Sequence, residues 1–326
     1  MRLSILIKDM ELKCGVGALL YTPALNSELA DMIINGDFGC KYSIALCLED
    51  SISDNVVEKA ELQVTDTLQR IFNASLNKKV FIPKIFVRVR NPKQVHSIYD
   101  AIKSYESIFN GFIFPKYTIR NALEYNTEIE NINKISGKKI YMMPILESSD
   151  IAEPLHRIET LVNIKKYIDS MYDYILNIRV GGNDFSNRFA VRRNYDETIY
   201  DILPVSQILS DILTVFSREY IISGPVWEFF SSNSDVWKKG MQRELKLDKL
   251  NGFTGKTVIH PNQIQVVNEM LKVTKKDYED AKTILNWNDS SLQVGKSYGG
   301  DRMNEVKTNY SWAEKIMIMA KIYGII

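Results

Sequence analysis

One pattern constrains this chain more than any other: an alternation repeated along most of its length. Short apolar runs recur, each ends in polar or turn-forming residues, and each is followed by a longer stretch of helical periodicity. The runs are 17–23 (GALLYTP), 43–50 (SIALCLED), 84–90 (KIFVRVR), 111–116 (GFIFPK), 139–147 (KIYMMPILE), 175–184 (ILNIRVGGND), 219–226 (EYIISGPV) and 255–261 (GKTVIHP). Near-continuous hydrophobicity, rather than strict alternation, marks strands buried on both faces. Helical spacing follows each run, at 26–35, 55–76, 94–105, 122–135, 151–171, 198–218, 235–250 and 262–287. Eight strand–helix units predict an α/β fold, a (β/α)8 TIM barrel. A doubly wound open sheet is the rival architecture. Against it, no GxGxxG follows the first run and no GxxxxGK[ST] occurs anywhere.

The barrel is expected to occupy 1–287 as a catalytic domain. Residues 288–326 lie beyond the eighth unit, Gly/Ser-rich at first and helical over 311–323. They read as a C-terminal helical extension that serves as a lid or an oligomerisation segment. With 326 residues, 45% of them hydrophobic, the chain can bury a large core without a disulfide or a structural metal. Its 41 basic and 40 acidic residues nearly cancel, to +1, which speaks against a nucleic-acid partner. A compact anionic substrate needs only a few local cations. Cys14, Cys40 and Cys47 form no CxxC pair and read as reduced thiols. The start, MRLSILIKDMELK, lacks a signal-peptide core, and no run approaches the ~18 apolar residues of a membrane span. A cytoplasmic location with no membrane partner is the expectation.

Barrel enzymes place their chemistry at the carboxyl ends of the strands, and here those ends are rich in ionisable groups. The second run ends in Glu49 and Asp50, the third carries Arg88 and Arg90, the fourth ends in Lys116 and the fifth in Glu147. The sixth ends in Asn183 and Asp184, the seventh runs into Glu228 and the eighth reaches His260. Glu147 and Asp184, on neighbouring strands, would project into one pocket. Two carboxylates with open water positions suit Mg2+, a hard ion that keeps several waters for exchange with substrate. Gly181 and Gly182 allow the backbone to approach a ligand closely, and Arg88 offers a planar fork to a carboxylate or enolate. Such a set would bind a 2-oxo acid or an enolate and stabilise developing negative charge. Each member also has a plainer reading. Glu147 or Asp184 could cap the next helix or form an ion pair with Arg88. Arg88 could pair with Glu49 or Asp50, Lys116 could be a surface lysine, and His260 could fix a loop.

Several segments are familiar as a set. LLYTPALNSELADMI, IALCLEDSI, VRVRNP, GFIFPK, PILES, GGNDFSN and GFTGKTVIHPNQIQVVNEML resemble, in order, segments of the HpcH/HpaI aldolase–citrate lyase beta subunit family. The tail stretch GGDRMNEVKTNYSWAEKI is similar to that family's C-terminal segment. The resemblance implies a TIM barrel in which Glu147 and Asp184 hold Mg2+ and Arg88 contacts the substrate carboxylate or enolate. It further implies that Glu49 and Asp50 order the water and arginine network, with Lys116, Gly182 and Asn183 lining the substrate pocket. No histidine stands in LEDSISDN, where HpaI-type aldolases keep a base, so the likeness is to the thioester branch. There a 2-hydroxy or 2-oxo acid, free or as a CoA or acyl-carrier thioester, is cleaved or formed through a metal-stabilised enolate. Members of the family are trimers or multiples of trimers, and the tail closes over a neighbouring subunit's pocket. Three departures stand out: Cys47 replaces the first acid of a DLED run, Ala24 a glycine, and Asn304, with Glu305 beside it, a tail acid. Arg192 and Arg193 are the nearest candidates for thioester phosphates. Thioester hydrolysis or condensation in the same pocket, and a non-catalytic subunit role, remain alternatives.

Overall fold

Each of the eight expected strands forms in the computed structural model, which describes residues 2–231, 235–289 and 291–326. They are β1 (Ala18–Pro23), β2 (Ser43–Cys47), β3 (Lys84–Arg88), β4 (Phe109–Phe114), β5 (Tyr141–Leu146), β6 (Ile178–Val180), β7 (Ile222–Ser223) and β8 (Lys256–Val258). All pair in parallel, in the order β7-β6-β5-β4-β3-β2-β1-β8. Gly224, one residue past β7, closes the circle by bridging Lys256 of β8, its N–H donating to Gly255 O at 3.0 Å. The sheet therefore ends on itself, and the architecture is a TIM barrel rather than an open sheet.

The strands are apolar because both faces are covered. Leu19, Ile44, Phe86, Phe112 and Met143 are all fully buried. Around them the helices Val57–Asn77, Pro92–Ile102, Ala122–Ile135, Arg157–Ser170 and Leu203–Phe216 turn a largely apolar face inward, while Val236–Asn251 buries Glu244 and Asp248 beside Met241 and Leu245. In the first, Ala60, Val64, Leu68 and Ile71 recur at helical spacing and face inward. Strands β6 to β8 are shorter than their apolar runs. The 175–184 run contributes Ile178–Val180 to the sheet and then turns directly into the helix Gly182–Arg188. The 219–226 run contributes two strand residues, so Glu228 lies well past the end of β7.

Contacts divide the chain into two compact units, Val16–Val267 and Met1–Gly15 with Asn268–Ile326. Helix Lys275–Leu285 packs on helix Val306–Tyr323, which also receives the N-terminal helix Arg2–Cys14. In this second unit Tyr323 donates to Cys14 O at 2.8 Å, and Val273 bridges Ile325. A small antiparallel hairpin, Val294–Lys296 with Met303–Glu305, was not anticipated. It is anchored by Asp280, which accepts from Tyr298 N, Arg302 and Asn304. Among the described residues no helix is long and apolar enough to cross a membrane.

Candidate active site

Strand register is what brings the site residues to one level. Arg88 lies opposite Cys47 in the β2–β3 pair, and Leu146 lies opposite Val180 in the β5–β6 pair. Glu147 and Gly181, the next residues in each chain, therefore leave the barrel side by side. Gly181 N donates to Leu146 O at 3.2 Å, which extends the ladder one step into the mouth. A cavity of about 250 Å³ opens there, bordered by Asp50, Arg88, Glu147, Gly182, Asn183 and Asp184.

Glu147 and Asp184 converge on the Gly181 backbone. A methyl group placed on Gly181 would lie 2.2 Å from Glu147 Oε2 and 3.1 Å from Asp184 Oδ2. No side chain larger than glycine's fits between them. Gly182 is likewise closed to substitution, since its added carbon would meet Pro225 Cβ at 2.7 Å. Asp184 reaches the mouth from the first turn of helix Gly182–Arg188, not from a strand end. Among the described residues its carboxylate has no cationic partner within 4 Å. Glu147 uses Oε1 to accept from Lys116 N at 2.9 Å and lies 3.6 Å from Arg88 Nη2. Its Oε2 is left for the cavity. Burial, with the neighbouring Asp184 carboxylate, outweighs Arg88 and pushes the Glu147 carboxyl up to about 8.

Lys116 is one of two non-glycine residues with positive φ, at 49°, among the described residues. That left-handed turn after Pro115 aims its N–H at Glu147. Its ammonium reaches back to Glu49 and, at 3.3 Å, Asp50. Arg88 is buried and its Nη2 meets Glu49 at 2.7 Å and Asp50 at 2.9 Å. Burial would lower the guanidinium, but Tyr21, Glu147, Cys47 and Glu49 together reverse this, and it stays charged. Burial would raise Asp50 in turn, yet Glu49, Arg88 and Lys116 hold its carboxyl below the usual range. Arg90 points away from the cavity: its Nη1 donates to Leu48 O and Ile52 O and its Nη2 pairs with Asp54, so it braces the loop carrying Glu49 and Asp50.

The predicted set is thus brought together, with Glu49 and Lys116 one contact behind the cavity wall. Three other residues fall outside it. Glu228 pairs with Arg192. His260 stacks on Phe230 with ring centroids 4.5 Å apart, and its Nδ1 accepts from Asn262 N. This is the loop-fixing role. Arg193 is buried against Glu244 and the Trp227 ring and donates to Val226 O, so it cannot serve as a phosphate contact. In the C-terminal unit the Asn304 amide is committed to Asp280.

The sequence reading missed the inner wall. Tyr21 of β1, Arg179 of β6 and Thr257 of β8 border the same cavity. Tyr21 lies between two cations, with Arg88 Cζ 5.6 Å and Arg179 Cζ 5.9 Å from its ring centroid. Burial raises the Tyr21 hydroxyl even against both arginines. The available signal was a charged residue inside an apolar run, Arg179 in ILNIRVGG.

A closed parallel eight-stranded barrel with two carboxylates, a buried arginine and an acidic network at its carboxyl-end mouth places this chain among the TIM-barrel enzymes. The profile of the C–C bond lyase family of the TIM-barrel fold matches residues 10–325, and the chain belongs to that family of carbon–carbon lyases. It is 22% identical over 269 residues to the citrate lyase subunit beta of Haemophilus influenzae, covering 82% of this chain and 84% of that one. It is 24% identical over 288 residues to the mitochondrial citramalyl-CoA lyase of Homo sapiens, covering 86% and 77%. The fold is shared with a citrate lyase structure from Burkholderia xenovorans (TM-score 0.70, 13% identity, 95% and 93% covered). It is shared too with CitE of Mycobacterium tuberculosis in complex with magnesium, acetoacetate and coenzyme A (TM-score 0.61, 16% identity, 94% and 98% covered).

Proposed function

We propose that this carbon–carbon lyase works on a 2-hydroxy or 2-oxo acid, free or as its acyl thioester, with Mg2+ held by Glu147 and Asp184. The observation that carries the reading is the convergence of those two carboxylates beside Gly181, with Glu147 Oε2 and Asp184 left unpaired. Two hard oxygen ligands and an open cavity fit an ion that retains several waters. The CitE complex that shares this fold contains magnesium, which agrees with that fit. When bound, the ion supplies Lewis-acid charge to the acid's carboxylate and adjacent oxygen.

The chain's own residues account for the rest. In the cleavage direction, Asp50, or Glu49 through a water, takes the proton of the substrate hydroxyl. That oxygen's electron pair forms the new carbonyl as the carbon–carbon bond breaks, and the bond's electrons pass to the departing enolate. Arg88, fixed by three carboxylates and charged, faces the negative oxygen. The proton then returns to the enolate carbon, so the atoms balance. Lys116 holds Glu49 and Asp50 in place, while Gly182 and Asn183 border the substrate. A trimer, or a multiple of one, in the cytoplasm belongs to the same proposal. Ile158 and Val162 on the helix Arg157–Ser170, with Leu155 just before it, form an exposed apolar edge that suits subunit contact.

The test is product analysis with purified chain, Mg2+ and a panel of citryl-CoA, citramalyl-CoA and malyl-CoA. Release of a 2-oxo acid together with a shorter acyl-CoA is expected. Release of CoA with the acid skeleton intact would replace this reading with thioester hydrolysis.

A further inference from the structure

The cavity wall contains a cation that the chemistry above leaves unused. Arg179 sits in the middle of β6, 1% exposed, between apolar Ile178 and Val180. Its Nη2 donates to Thr257 Oγ1 at 2.6 Å, and the Tyr21 ring lies alongside. Nε and Nη1 have no hydrogen-bond partner. No carboxylate lies within 4 Å of it among the described residues.

The other buried arginines are treated differently. Arg88 meets Glu49 and Asp50, Arg157 meets Asp211 at 2.9 Å, and Arg193 meets Glu244 at 3.4 Å. A guanidinium taken out of water is costly unless an anion and hydrogen-bond acceptors replace the solvent. The fold provides such an anion for three of these four arginines. The fourth, Arg179, is also the one bordering the cavity without an acid beside it.

We propose that Arg179 receives a second carboxylate of the substrate, at the end remote from Glu147 and Asp184. This rests on the metal-site reading above and narrows it to a 2-hydroxy or 2-oxo acid that keeps two free carboxylates, a condition that malyl-CoA and citramalyl-CoA, whose second carboxyl is the thioester, do not meet. Arg88 does not fill this role, because its charge is already offset by Glu49 and Asp50 and, in the reading above, it faces the reacting oxygen. Tyr21 touches both guanidinium groups with one ring and so fixes their spacing, while Thr257 orients the Arg179 fork. The cavity, about 250 Å³, is smaller than the ~300–1,000 Å³ typical of drug-sized ligands. It therefore suits a compact diacid unit, with any carrier thioester lying outside it.

Titration calorimetry with L-malate and L-lactate tests this, because the two share a 2-hydroxy acid end and differ in the remote carboxylate. With Mg2+ present, the wild-type chain is expected to bind malate at least ~10-fold more tightly than lactate. Arg179→Met should abolish that preference while leaving lactate affinity within about twofold, and Arg179→Lys should restore part of it. If the methionine variant does not fold, the 4-methyl ester of malate replaces it, and the wild type should bind this ester no better than lactate. Equal affinities of malate and lactate, both Mg2+-dependent, would overturn the second-carboxylate site and leave the metal reading standing. A preference that survives Arg179→Met would overturn it equally. Binding of both acids that ignores Mg2+ would remove the metal reading, and this proposal with it.

Discussion

Glu147 and Asp184 approach one another across a residue with no side chain: the position a Cβ would take on Gly181 is 2.2 Å from one carboxylate and 3.1 Å from the other. Two acids brought this close, with one buried, repel unless a proton or a cation lies between them. Burial and the neighbouring Asp184 carboxylate push the Glu147 carboxyl up to about 8, which favours its protonated form when no cation is present.

Gly181→Ala should therefore abolish activity without unfolding the barrel. The added methyl displaces the Glu147 carboxylate, and a ligand moved from its position loses metal affinity by roughly 10–100-fold or more. Calorimetric Mg2+ titration beside a thermal melt reads both effects. Unchanged Mg2+ affinity in Gly181→Ala would contradict the geometry.

Proton and metal compete for Glu147, so Mg2+ affinity should depend on pH. Below about 8 the carboxyl must lose its proton to bind the ion, and apparent affinity should rise about tenfold per pH unit, levelling off above that value. The sign for folding is opposite. A carboxyl raised on folding contributes stability that is full below its unfolded value and is lost as pH rises through about 8. Metal-free protein should thus melt at lower temperature at pH 8.5 than at pH 6, an increment that Glu147→Gln removes.

Arg88→Lys should retain charge but lose the planar guanidinium, whose Nη2 meets both Glu49 and Asp50. A kcat reduction of about 10²–10³ with a smaller change in KM is expected for loss of a group that acts on developing charge. Steady-state kinetics of the variant separates the two parameters. A rise in KM alone would make Arg88 a substrate clamp only.

Behind the site, Lys256 donates to Glu244 at 2.8 Å and Asp248 at 2.7 Å, and Arg193 joins Glu244 from the other side. All four are buried. Lys256→Met should cost about 3–5 kcal/mol by leaving Asp248 with no cation and Glu244 with Arg193 alone. Urea denaturation measures this, and a loss below about 1 kcal/mol would show that the network is not a structural anchor.

How much of this was readable in the sequence follows from which forces act locally. The strands show as apolar runs because burial on both faces demands it, and helix Ala122–Ile135 falls where its periodicity puts it. The acidic and basic residues near strand ends were legible for the same reason, since charge inside an apolar run stands out at its edge. Two things were not local. The Gly-Gly pair ends β6 early and puts Asp184 on a helical turn, while Glu228 drifts away after a two-residue β7. Which residues of a strand face the barrel axis depends on the tilt of the closed sheet, so Tyr21, Arg179 and Thr257 gave no sign of sharing a wall. The N-terminal helix joins the C-terminal unit through contacts some three hundred residues apart in sequence, beyond the reach of any periodicity.

The most direct measurement is Mg2+ titration of purified chain, wild type against Asp184→Asn, near pH 8. The two-carboxylate site predicts one ion per chain in the wild type and affinity at least about tenfold weaker in the variant. Equal binding by the two proteins would contradict it.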